Sequence, residues 1–150
     1  DVTILPGYTA EGRIAAVDYG RRRIGVAASD PSGTIVTPRA AVENSDPPVQ
    51  PPDELLRVLR EIEPVEIVVG IPLEMNGTSG AMADEVREFA ENLRSSLEVP
   101  VTEWDERLTT EQARDFLREG GTSPTRRGRE KGRLDRAAAA VLLRRYLGAR

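Results

Sequence analysis

Cysteine and histidine are both missing from this sequence, and each absence removes a body of chemistry. Without cysteine there can be no disulfide, thiolate nucleophile, zinc ribbon or iron–sulfur cluster. Without histidine there is no Ser-His-Asp or Cys-His arrangement, no imidazole general base, and no imidazole ligand for Zn²⁺ or Cu²⁺. Long apolar runs are lacking too. None approaches the length of a bilayer span, and residues 1–12 have neither the basic nor the apolar region of a signal peptide, so the expected address is cytoplasmic with no membrane partner. If the protein is an enzyme, carboxylates are its tools.

What is present is enough for one domain: 150 residues, 39% hydrophobic and 31% charged, the balance of a globular chain with a single core. The net charge of −4 argues at first against nucleic acid. Its distribution argues otherwise, because residues 118–150 hold ten Arg or Lys against three acids, a net of +7 that leaves −11 on residues 1–117. A basic C-terminal part on an acidic body is an electrostatic footprint for phosphates.

Apolar runs at 13–19 and 24–29 flank Gly20-Arg21-Arg22-Arg23 and predict a hairpin, with a third strand over about 34–42 after the turn Asp30-Pro31-Ser32-Gly33. Four prolines make 44–52 a loop. Asp53 is expected to cap a helix with Leu55, Leu56, Leu59 and Ile62 at helical spacing. A β-branched strand over 66–72, a helix over about 81–97 and a last strand over 101–105 follow. A capping-box pattern opens a helix from Thr109 to Gly120. Residues 122–133 read as a polar, basic loop, and 135–147 as an Ala-rich helix that Asp135 would cap. Antiparallel strands followed by crossovers predict an α/β fold, a mixed sheet of five strands with helices on its faces.

Three acids stand out by position. Asp18 ends an apolar strand, where an ionised carboxylate needs an arginine or a metal unless it is a solvated turn residue. Asp105 and Glu106 follow the last strand, at the end of a crossover sheet where catalytic groups gather, although Arg107 could simply pair with either. Asp135 most economically caps the last helix, and it serves a site as well only if its side chain points into the crevice. Trp104 and Tyr19 adjoin these acids; so few aromatics make the core the expected place for Trp104, while Tyr19 could stack on an unpaired base.

The surrounding strings are more informative than the acids alone. Ala16-Val-Asp18-Tyr-Gly20 with Arg23-Ile-Gly-Val-Ala-Ala-Ser-Asp30, Val68-Val-Gly-Ile-Pro-Leu-Glu-Met-Asn-Gly-Thr78, Trp104-Asp-Glu-Arg-Leu-Thr-Thr110, and Lys131-Gly-Arg-Leu-Asp135 with Tyr146-Leu147 resemble the successive signatures of the YqgF family of Holliday-junction-resolvase-like, pre-16S rRNA nucleases. The resemblance runs from Arg13 to the C-terminus, leaving 1–12 as an extension before a single domain over 13–150. It implies an RNase H-like fold and a nuclease, endo- or exonucleolytic, that processes the 5′ end of precursor 16S rRNA. Asp18, Glu106 and Asp135 match the family's catalytic, metal-holding acids, with Asp105 in reserve. The chain departs from the family in its extension, its proline-rich loop and Arg136.

An oxygen-only cluster of this kind suits Mg²⁺ or Mn²⁺, most economically two ions. Arg107, Arg126, Arg127, Arg129, Lys131 and Arg133 could engage flanking phosphates, and Asn76 and Thr78 could bind one at the next helix start. The partners implied are structured RNA first, junction DNA second, and a ribosomal precursor particle, with the protein a monomer or weak homodimer. Two alternatives stay open beside junction resolution: a non-catalytic RNA-binding assembly factor, and nucleotide hydrolysis of the actin and Hsp70 type, which needs two such domains where this chain has one.

Overall fold

The computed structural model describes residues 12–73, 80–105 and 127–149, with side chains of the last segment described from Ala138 onward. Strands β1 (Ile14–Asp18), β2 (Arg23–Ser29), β3 (Val36–Pro38) and β4 (Val42–Glu43) come first, then helix α1 (Asp53–Ile62), β5 (Glu66–Ile71), α2 (Ala81–Ser96), β6 (Val101–Asp105) and α3 (Arg127–Ala149). The strands lie in the order β3-β2-β1-β5-β6, with β4 paired to β2 off that path. β1 is antiparallel to β2 and parallel to β5, and β5 is parallel to β6. The sheet is therefore mixed, as expected, with a sixth short strand.

That sixth strand comes from a break in the expected third one. Ala27 stands opposite Pro38, whereas Ile24, three residues earlier, stands opposite Val42, four residues later. One extra residue is accommodated between Pro38 and Val42, as in a β-bulge. Pro38 has no N–H to continue the ladder, and Arg39 supplies the next bond, its N–H donating to the Val26 carbonyl at 2.8 Å.

Near-continuous apolar runs in β1, β2 and β5 follow from burial on both faces. Side chains of Ala15, Val17, Tyr19, Val26, Ile67, Val69 and Ile71 form one cluster with Leu55, Leu59 and Ile62 of α1 and Ala83, Val86, Phe89, Ala90 and Leu93 of α2. Ile14, Ala16, Ala27 and Val68 meet Ala139, Ala140, Leu142 and Leu143 of α3 on the other face. Strand alternation and helical period together assign each side chain to a layer.

Two helix starts differ from expectation. Pro52 is the N-cap of α1, without a side-chain cap bond, and Asp53 is the first helical residue, where its charge favours the positive end of the helix dipole. The basic stretch 127–133 is helical, so α3 begins well before Asp135, and Asp135 is an interior residue and not a cap. Arg, Glu and Lys are good helix formers, and no proline interrupts 127–149; Gly128 and Gly132, each about 1 kcal/mol less favourable than Ala, and the missing apolar period are what make this stretch look like a loop. The expected helix from Thr109 to Gly120 and the extension before Gly12 lie outside the described residues. Among the described residues no helix is long and apolar enough to cross a membrane.

The turn after β2 is held by Asp30, whose carboxylate accepts from the Ser32 hydroxyl at 2.6 Å and from the N–H groups of Thr34 and Ile35 at 2.8 and 3.0 Å. These bonds, Ser32 foremost, lower its pKa to about 2. A carboxyl with a depressed folded pKa contributes stability that is full above the unfolded value near 3.9 and is lost as pH falls through the folded one. A carbon-detected NMR titration of Asp30 is thus expected to show a midpoint near 2; a midpoint at the ordinary 3.8 means that the turn bonds do not persist in solution.

Candidate active site

Asp18 closes β1 at the end of the sheet where β5 and β6 also finish, at Ile71 and Asp105. It is half-buried. Its alternation with Ile14 and Ala16 puts it on the face covered by α3. Its lateral neighbours are instructive: Gly25 is its partner on β2, and because Val17 pairs with Val69, β5 reaches the same level at Gly70, itself paired with Trp104. Residues at one level of a sheet project to one face, and the strand positions level with Asp18 on either side are both glycine. Neither glycine is recognisable in the sequence as a neighbour of the acid, since only strand register puts them beside it.

Asp105 goes elsewhere. On β6, Trp104 shares the α3 face, its ring edge-on to Tyr146 at 5.4 Å between centroids. Glu103 faces α2, where it pairs with Arg87 and Arg94 at 3.2 and 3.3 Å. Asp105 has the parity of Glu103, so the sheet separates it from Asp18. Trp104 packs against the core as expected. Glu106, Arg107, Arg126, Asn76 and Thr78 lie outside the described residues. So do the side chains of Arg127, Arg129, Lys131, Arg133 and Asp135, although their backbone is the first part of α3. Among the described residues no three acids form a metal-holding group.

The course of α3 is fixed from its other end. The Tyr146 hydroxyl donates to the Glu66 carboxylate at the start of β5, which also accepts from Thr102 at 2.6 Å. Asp135 precedes Tyr146 by eleven positions, about 16 Å of helix, and the level of Asp18 lies four residues beyond Glu66, about 13 Å of strand.

On the opposite face, Tyr19 is buried, its ring 4.8 Å from that of Phe89. Its hydroxyl donates to Glu85 at 2.5 Å, and Arg21 grips the same carboxylate at 2.8 to 3.2 Å. Burial first, then Glu85, pushes the phenol's pKa up; Arg21 first, then Tyr19, holds the Glu85 carboxyl below its usual range. Tyr19 is thus a core residue and is not placed to stack on a base. The Asn44 side-chain amide donates to the Gly20 carbonyl at 2.7 Å, and its backbone N–H donates to the Arg22 carbonyl at 2.8 Å. A Cβ at Gly20 would lie 2.4 Å from the Arg23 carbonyl oxygen, so the turn requires glycine. Glu85 and Asn44 went unnoticed in the sequence because pairings 64 and 24 residues apart leave no local pattern.

The family described as "RuvX: Holliday junction resolvase" matches residues 12–149. A Chloroflexus aurantiacus protein named "Putative pre-16S rRNA nuclease" is 40% identical over 137 residues, covering 91% of this chain and 87% of its own length. A Streptomyces avermitilis protein of the same name is 41% identical over 137 residues, with 91% and 85% covered. Among solved structures, T. thermophilus RuvC in complex with a Holliday junction substrate superposes with a TM-score of 0.53 at 18% identity, covering 92% of this chain and 94% of that one, a likeness of fold. The mixed sheet, its helices on both faces and these matches agree: the chain belongs to the RuvX (YqgF) family of Holliday-junction-resolvase-like nucleases and has the RNase H-like fold.

Proposed function

We propose that this nuclease processes the 5′ end of precursor 16S rRNA in the cytoplasm, with Asp18, Glu106 and Asp135 as its catalytic acids. The observation that carries the reading is Asp18 at the end of β1, where β5 and β6 also finish, with Gly25 and Gly70 as its lateral neighbours. Asp105 lies on the other face, which favours Glu106, the next residue, as the second acid. Asp135 precedes Ala139 by four and Leu142 by seven, intervals that share one helical stripe, and both of those residues pack against the sheet.

Carboxylates in a chain without Cys or His fit a hard, oxygen-preferring cation. These three residues would hold Mg²⁺ or Mn²⁺, two ions in the economical arrangement, and bound cations supply Lewis-acid stabilisation of the charge that develops on the phosphate oxygens. Hydrolysis adds water across one P–O ester bond, leaving a phosphate monoester on one fragment and a hydroxyl on the other. The acids position that chemistry, and the protein groups around them orient the strand. Helical spacing divides the basic residues: Arg127 and Lys131 share the side of Asp135, and Arg129 and Arg133 fall roughly opposite. We assign substrate contact to the first pair, with Arg107, Arg126, Asn76 and Thr78 as further phosphate contacts. A monomer, or a weak homodimer, suffices for trimming an RNA end.

The test is cleavage of a labelled precursor-like RNA and of a synthetic four-way DNA junction by purified protein, with Mg²⁺ or with EDTA. Metal-dependent cleavage of the RNA in preference to the junction is the expected result. Preference for the junction would make the protein a resolvase, and tight RNA binding without cleavage in Mg²⁺ or Mn²⁺ would leave an assembly factor.

A further inference from the structure

The turn from β1 to β2 leaves the sheet directly after Asp18, on the flank away from β6. It carries three consecutive arginines, Arg21, Arg22 and Arg23, which line an open groove of about 500 Å³ together with Asn44 and Ser45. The groove also contains Glu43 and Asp46, so the arrangement of charge decides what it can bind. Arg21 is engaged by Glu85, and Arg23 faces Glu43 across the ladder. Arg22, between them, is exposed and forms no ion pair among the described residues. Of the three arginines of this turn, its charge is the one open to an external anion among the described residues.

The turn is also held still. Glu85 of α2 ties down Tyr19 and Arg21, Asn44 bonds to Gly20 and Arg22 from the other side, and Gly20 lets the backbone close on itself. A loop already fixed loses little conformational freedom on binding. From Asp18 to Arg22 is four residues, at most about 14 Å of chain, the span of about four nucleotides of one duplex strand.

We propose that Arg22, presented by this clamped turn, binds a backbone phosphate of the substrate nucleic acid within about four nucleotides of the scissile bond, on the opposite flank of Asp18 from β6. The proposal rests on the nuclease reading of Asp18 but concerns binding, so the two fail separately. A phosphate contact carries no base information, and the subsite therefore positions the strand without selecting sequence.

The experiment measures affinity of the full chain for a short labelled RNA duplex, and for a single strand of the same length, in EDTA at salt from 50 to 200 mM. Arg22→Gln is expected to bind more weakly at 50 mM and to show a salt slope shallower by about 0.9 on the duplex or about 0.7 on the single strand. On the duplex, the ratio of wild-type to variant affinity then shrinks about 3.5-fold across that range. Arg57→Gln, which removes an exposed arginine of α1 paired with Glu54 and Glu61, is expected to match wild type. An Arg22→Gln protein with wild-type affinity and slope overturns the subsite, as does a wild type that binds neither probe at 50 mM. Arg22-dependent binding by a protein that cleaves nothing with Mg²⁺ keeps the subsite and ends the nuclease reading; cleavage with an unchanged slope does the reverse.

Discussion

Replacing Asp18 by Asn is expected to lower metal-dependent cleavage by at least about a thousandfold, the loss of about 4 kcal/mol of transition-state stabilisation, without unfolding the protein. The amide keeps the shape of the carboxylate and one acceptor oxygen but not the charge that a hard cation requires. Asp18 is half-buried at the end of an apolar strand, and Asn fills the same volume there. In EDTA the variant should still unfold in one cooperative transition. Saturating Mg²⁺, at about 100 times its Kd, should stabilise wild type by about 2.7 kcal/mol, roughly 5 to 10 °C in a domain of this size, and the variant hardly at all. Cleavage assays and paired thermal melts read both effects. If Asp18→Asn cleaves normally, the first acid is wrongly assigned; if Asp105→Asn abolishes cleavage while Glu106→Gln does not, Asp105 and not Glu106 is the second acid.

Phe89→Ala should produce the largest loss of stability among single truncations near the site, about 3 to 5 kcal/mol. Phe89 has no solvent exposure and lies at the centre of the cluster that joins α1 and α2 to the sheet. Its ring supports Tyr19 at 4.8 Å, and Tyr19 in turn shares Glu85 with Arg21. The truncation leaves a cavity beneath the turn that follows Asp18, so the melting temperature is expected to fall by roughly 10 °C or more and residual activity to fall with it. Met82→Ala on the same helix removes a side chain that is 39% exposed and should change stability by no more than about 0.5 kcal/mol. Equal melting temperatures for the two variants would mean that Phe89 does not bear on the core in the way its burial indicates.

Local pattern specifies most of the strands and helices of this chain. An apolar run with turn residues at each end is a strand wherever it lies in the fold, which is why β1, β2, β5 and β6 appear where residues 13–29, 66–72 and 101–105 put them. Helical spacing of Leu55, Leu59 and Ile62, and of Val86, Phe89, Ala90 and Leu93, identified the buried stripes of α1 and α2. The start of α3 is not legible locally, because a charged helix segment with no apolar period and two glycines resembles a loop to any rule based on amphipathicity.

Composition settles the chemistry available, carboxylates with neither thiol nor imidazole, and local pattern specifies the strands and helices. Which face of the sheet Asp18 and Asp105 take, and which strand residues stand beside them, follows from the assembled fold alone. It put Asp18 between Gly25 and Gly70, sent Asp105 to the far side of the sheet, and buried Tyr19 under Glu85. The physical reason is that strand alternation is a local property, whereas register is an agreement between strands distant in the chain, and a shift of one residue would exchange every assignment.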